Sequence, residues 1–197
     1  VIRRCQGRPM RFTLIGSGTE EARLRTEFAG NPAVRFTGVL PPAGVAAELA
    51  NQDVFLLLSD YEGLPLALIE AMGMGVVPVV SDLESGIREL VSTDRGVRVG
   101  IGDIDAAVDA LETLAADPAR RVGMAEACAH AVRGFHDVGG MAESYLELAS
   151  PACGGDPAVW PWEARFPAPL CLSPGWLYRQ PVRGIQRMVR RGRLALV

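Results

Sequence analysis

The 197-residue chain contains no lysine; all 20 of its basic residues are arginine. A lysine point charge on a phosphate is therefore excluded, and a planar guanidinium does not replace it without loss. Cysteine is scarce. Cys5, Cys128, Cys153 and Cys171 have no close metal-ligand spacing, and nothing in their pattern argues for a disulfide framework. The two histidines, His130 and His136, stand six apart with no further ligand pattern around them. No P-loop, G-x-S-x-G or metal motif occurs. No apolar run approaches bilayer length, and no apolar h-region follows Val1. A net charge of −3 argues against a general nucleic-acid binder. What remains is a chain long enough for one ordinary core, 49% hydrophobic and 22% charged, as expected of an α/β domain.

The informative stretch is Glu62-Gly63-Leu64-Pro65-Leu66-Ala67-Leu68-Ile69-Glu70. A buried-type strand, Val54 to Leu58, precedes it, and a second, Val76 to Val80, follows. Strand, loop, helix and strand make one βαβ unit with parallel strands and a right-handed crossover. Ligands of such sheets bind outside the carboxyl ends of the strands, where Glu62 falls. Pro65 suits the first helical turn, because its missing N–H has no intrahelical partner there. The N–H groups around Gly63, Leu64 and Leu66, with the helix dipole, then form a site for phosphate oxygens. Glu70 falls in the second turn of an apolar helix. A buried carboxylate there needs a hydrogen-bond partner, and sugar hydroxyls are suitable donors. The arrangement suits a diphosphate between two sugar-like rings.

The segment Tyr61 to Asp82 resembles the E-x7-E motif of retaining GT-B glycosyltransferases, in particular family 4 and its glycogen-synthase-like relatives. The resemblance implies that Glu62 holds the donor sugar near the reacting carbon and that Glu70 holds the ribose. Gly63 and Leu64 would receive the diphosphate. Arg11 to Ile15 reads as a strand entering Gly16-Ser17-Gly18, similar to the family's G-x-G turn in the nucleotide half. Val34 to Val39 resembles its short strand ending in glycine, which implies backbone contacts from Gly38 and Val39 to the base. Ser85-Gly86-Ile87 stands where the family usually carries two glycines. Gly96 to Val99 reads as the next strand. Helices follow after Asp103 and Asp117, and a closing helix spans 135–148.

The implied fold is α/β: a Rossmann-like parallel sheet with helices on both faces, the C-terminal half of a GT-B fold, incomplete at its front. No acceptor domain is recognised, nor the arginine and lysine that the family sets on the diphosphate. Arg3, Arg4 and Arg8 read as a frayed, solvated terminus. Composition changes at residue 151. Residues 1–150 hold 13 arginines against 21 acids; residues 151–197 hold 7 against 2, with half of the 14 prolines and all three tryptophans. The second segment reads as irregular chain followed by a basic amphipathic helix from Trp176, suited to a membrane surface or a partner.

The resemblance implies retaining transfer from a nucleoside-diphosphate sugar to an acceptor hydroxyl. It implies no cofactor and no metal, and the net charge argues against nucleic acid. The basic 176–193 tail suits contact with a membrane surface, and with it a lipid-linked or envelope-glycan acceptor and a cytoplasmic site at the inner membrane face. The alternatives are an inactive nucleotide-binding module, one half of a split transferase, and a GT-B sugar-nucleotide epimerase.

Overall fold

The computed structural model describes residues 1–133, 139, 140, 142, 143 and 145, together with the backbone of the strand Arg193–Leu196. Six parallel strands form one sheet: β1 (Arg11–Ile15), β2 (Val34–Gly38), β3 (Val54–Leu57), β4 (Val77–Ser81), β5 (Val97–Val99) and β6 (Arg193–Leu196), in the order β2-β1-β6-β3-β4-β5. The helices are α1 (Glu21–Glu27), α2 (Pro42–Leu49), α3 (Leu66–Gly73), α4 (Gly86–Leu90), α5 (Ile104–Ala116) and α6 (Pro118–Val132). This is the α/β fold expected, with each strand boundary in the first 100 residues within about one residue of its expected place.

Alternation along the strands divides the core between two faces, because successive side chains point to opposite sides of a sheet. Val54 and Leu56 of β3, with Val77 and Val79 of β4, pack beneath Ala107, Val108, Leu111 and Leu114 of α5. Phe55 and Val80 point the other way, onto Leu68, Ile69 and Met72 of α3 and Ile87 and Leu90 of α4. Strands buried on both faces read as near-continuous apolar runs, which is why 54–58 and 76–80 stand out in the sequence.

Helix starts follow local chemistry. The Asp103 carboxylate accepts from the Ala106 N–H at 2.9 Å, and the Asp117 carboxylate accepts from the Arg120 N–H at 2.9 Å. Arg121 and Asp53 form a buried pair at 3.7 Å that ties α6 to the start of β3.

Two differences from expectation concern the ends of the chain. The first residues are not frayed. Ile2–Cys5 form a 3-10 helix with Cys5 buried in the core. Arg3 is paired with Glu27, Arg4 with Asp105 and Arg8 with Glu112. Apolar Ile2, Cys5 and Met10 anchor this turn against the sheet, so the arginines lie along its outer side. At the other end, Arg193–Leu196, within the stretch read as a tail, runs as the strand between β1 and β3. Thr13 and Phe55 both stand opposite Ala195. The expected helix after Trp176, most of the closing helix, His136, Cys153 and Cys171 lie outside the described residues. Among the described residues no helix is long and apolar enough to cross a membrane.

Over 194–196 β6 pairs on both sides, so Ala195 lies inside a ladder whichever neighbour its N–H faces. Ala195→Pro removes one donor from the middle of the sheet and leaves a carbonyl unpaired, at a cost of about 1–3 kcal/mol. The melting temperature should fall by about 2–12 °C for a chain of this size. An unchanged melting temperature would place residues 193–196 elsewhere.

Candidate functional site

All six strands run the same way, so their carboxyl ends share one edge of the sheet. Four loops gather there: Gly16–Gly18 after β1, Gly38–Val39 at the end of β2, Ser59–Pro65 after β3, and Asp82–Ser85 after β4.

The first two meet. The Gly16 N–H donates to the Gly38 carbonyl at 2.9 Å, and the two residues form an isolated bridge beyond the parallel ladder. Gly16 has φ +112° and Gly38 φ +69°, backbone conformations that side chains disfavour. The two glycines singled out separately in the sequence thus form one feature. Gly18 and Val39 flank it, both exposed.

The third loop carries Glu62. Its carboxylate accepts a hydrogen bond from the Ser59 hydroxyl at 2.8 Å, and the residue is half-buried. Ser59 was not singled out from the sequence. The signal was present in the spacing: a hydroxyl three residues before a glutamate, at the end of a buried strand. Pro65 is the residue immediately before α3, with extended backbone (φ −70°, ψ 116°), rather than part of its first turn. Its carbonyl accepts from the Leu68 and Ile69 N–H groups. Leu66 and Ala67 therefore hold the orphan donors of the helix start.

Glu70 lies in the second turn as expected, but it is exposed. Its neighbours Ile69 and Ala71 are buried, so the helix turns its apolar side inward and Glu70 outward. The expectation of a buried carboxylate requiring a partner fails for this geometric reason; the carboxylate is solvated and available to a ligand.

The fourth loop is held by charge. The Asp82 carboxylate accepts from Arg88 Nε at 2.9 Å and Arg88 Nη2 at 3.3 Å, and Arg98 lies 3.6 Å away. The hydrogen bond from Arg88, more than the charge of Arg98, holds the Asp82 carboxyl below its ordinary range. Ser85 caps α4 by accepting from the Ile87 N–H at 3.3 Å. The third and fourth loops are joined by the Gly86 N–H, which donates to the Gly63 carbonyl at 3.1 Å.

Among the described residues, no three His, Cys, Asp or Glu side chains gather as a metal site. Cys128 is fully buried, and burial pushes its thiol up to about 12, so it is inert as a nucleophile. His130 lies in α6, far along the sequence from the loop motif. Large apolar side chains do stand exposed at the carboxyl edge: Val39, Tyr61, Leu64 and Leu66.

Comparison with known proteins agrees with this geometry. Residues 1–117 match the family described as glycosyl transferases group 1. A protein of Escherichia coli K12 assigned to colanic acid biosynthesis as the glycosyltransferase WcaL is 44% identical over 99 residues, covering 46% of this chain and 24% of its own length. The amylovoran biosynthesis glycosyltransferase AmsK of Erwinia amylovora is 41% identical over 95 residues, covering 44% of this chain and 23% of its own. A phosphatidyl-myo-inositol mannosyltransferase of Mycobacterium leprae is 34% identical over 128 residues, covering 64% and 34%. The matches thus span about a quarter to a third of the length of these relatives. Among solved structures, the pneumococcal O-GlcNAc transferase GtfA, in complex with UDP and GlcNAc, superposes with a TM-score of 0.66 at 19% identity, covering 79% of this chain and 32% of its own. Sucrose-phosphate synthase from Thermosynechococcus elongatus gives 0.63 at 22% identity, covering 73% and 39%. These likenesses concern the fold, a Rossmann-like unit of the GT-B type. By its sequence match over residues 1–117 and the sheet that those residues build, the chain belongs to the glycosyl transferases group 1 family.

Proposed function

We propose that this chain is the donor-binding part of a retaining glycosyltransferase, which holds a nucleoside-diphosphate sugar while the glycosyl group passes to an acceptor hydroxyl. One observation carries the reading: the half-buried Glu62 and the exposed Glu70 lie on either side of an open helix start, on the edge of the sheet where the Gly16–Gly38 bridge also lies. The diphosphate sits against the Gly63 and Leu64 N–H groups and the positive end of the α3 dipole, without a metal. Glu70 takes the ribose hydroxyls. Glu62, oriented by Ser59, takes hydroxyls of the donor sugar. Gly16, Gly18, Gly38 and Val39 frame the nucleoside. Stabilisation of the leaving diphosphate is then the main catalytic contribution.

In this reading the donor domain comprises residues 1–150 together with the strand β6, which completes its sheet. The acceptor is bound by a second domain across the cleft, with Val39, Tyr61, Leu64 and Leu66 facing it. Exposed apolar side chains grouped beside a ligand edge support such a contact. The acceptor is a lipid-linked or envelope glycan, and the basic 176–193 segment brings the enzyme to the cytoplasmic face of the membrane. The relatives named for amylovoran biosynthesis and for mannosyl transfer to phosphatidyl-myo-inositol support that acceptor class. A second reading is a nucleotide-binding module that acts only with a separate acceptor subunit.

With the acceptor half supplied, Glu62→Gln should lower turnover by roughly 100-fold or more while donor affinity changes little. Release of nucleoside diphosphate from the donor measures both; unchanged turnover would remove Glu62 from the chemistry. Ser59→Ala should lower turnover by about tenfold or more through loss of one hydrogen bond to a charged group. Ser59→Thr, which keeps the hydroxyl, should recover most of it.

A further inference from the structure

The Gly63–Leu64 turn has few internal means of holding its shape. Gly63 and Leu64 are exposed, and Gly63 adds no side chain to pack. A turn offering backbone N–H groups to a ligand must nevertheless be held within a fraction of an ångström. The support comes from α4, a short helix from another loop. The Gly86 N–H donates to the Gly63 carbonyl at 3.1 Å. Leu64 lies over the same residue. A Cβ placed on Gly86 would sit 2.6 Å from Leu64 Cδ1, 3.4 Å from Leu64 Cβ and 3.5 Å from the Gly63 carbonyl oxygen. The turn thus rests on Gly86 through a hydrogen bond and through side-chain contact at the space that a Cβ would fill.

Gly86 is itself a fixed post. Ser85 caps α4. Ile87 and Leu90 are buried in the core beside α3. Arg88 ties α4 back to Asp82 at the end of β4.

We propose that Gly86 is a positioning residue for the diphosphate-binding turn: its N–H holds the Gly63 carbonyl, and its lack of a side chain lets Leu64 close over α4. In this role Gly86 acts through residues 63 and 64. The inference rests on the donor-binding reading above.

The physics predicts a graded response. Leu64 Cδ1 is the tip of a half-exposed, flexible side chain and can swing away from an added methyl group. Leu64 Cβ and the Gly63 oxygen, at 3.4 and 3.5 Å, meet an added Cβ in ordinary contact and make way for the larger valine only if the turn moves. Gly86→Ala should therefore weaken nucleoside-diphosphate binding by only a few-fold, and Gly86→Val by about tenfold or more.

The test is a calorimetric titration of UDP, GDP and ADP into the chain and its variants, with the fold of each checked by circular dichroism and thermal unfolding. The penalty of Gly86→Val should shrink in a Leu64→Ala background, because the side chain that it strikes is gone. Such coupling between positions 64 and 86 is not expected of a substitution that only loosens α4. Two results would overturn the proposal while leaving the donor site standing: Gly86→Val binding as tightly as the parent, or a valine penalty of the same size in the parent and in the Leu64→Ala background. A parent chain that binds none of the three nucleotides would instead remove the donor-binding reading, and this inference with it.

Discussion

The structure depends on one backbone constraint, the pairing at the middle of the sheet. β1 and β3 do not pair with each other; each pairs with β6. In a parallel sheet covered on both faces by helices, an unpaired row of N–H and C=O groups is costly to bury, so this position must be filled by a strand. In the common doubly wound order 3-2-1-4-5-6 the central position belongs to the first strand. Here the strand from residues 193–196 takes it. Its register, with Ala195 opposite both Thr13 and Phe55, brings the two halves into a single sheet. The Gly16–Gly38 bridge lies on one half and the Glu62–Glu70 loop and helix on the other, so their common edge exists only through β6.

On that edge the electrostatics is supplied by backbone more than by side chains. The N-terminal arginines are engaged by Glu27, Asp105 and Glu112. Arg88 and Arg98 are engaged by Asp82. Exposed pairs of this kind contribute little to stability. The Arg88–Asp82 pair matters through geometry, since it holds α4 beside the turn that carries Gly63. On the proposed reading, the charge offered to a diphosphate is then chiefly that of α3 and its unpaired N–H groups, equivalent to roughly half a positive charge at the helix start.

Much of this was legible in the sequence, because local signals and the global fold agree there. The buried strands 54–57 and 77–81 are apolar but for Ser81, and Asp103 and Asp117 announce their helices. Other features were not legible. Pairing between β6 and the sheet is non-local, and the short apolar run after Arg193 carries no signal of its destination. The outward turn of Glu70 depends on the rotation of α3 against β4, which spacing alone does not fix. Ser59 gains its role only when the loop after β3 folds back. Gly16 and Gly38, 22 positions apart, meet because β1 and β2 are neighbours. Gly86 shows itself only through Leu64, which lies over it in space and not in sequence.

The central claim is that the carboxyl edge of this sheet is a nucleoside-diphosphate site with Glu70 on the ribose. Its most direct test is a thermal-shift titration of the chain with UDP, GDP and ADP beside Glu70→Ala. A ligand at 100 times its dissociation constant adds about 2.7 kcal/mol of stability. The account predicts a rise in melting temperature with one of the three nucleotides that is lost in the Glu70→Ala chain. An equal rise in both chains would contradict the role of Glu70, and no rise with any nucleotide would contradict the site.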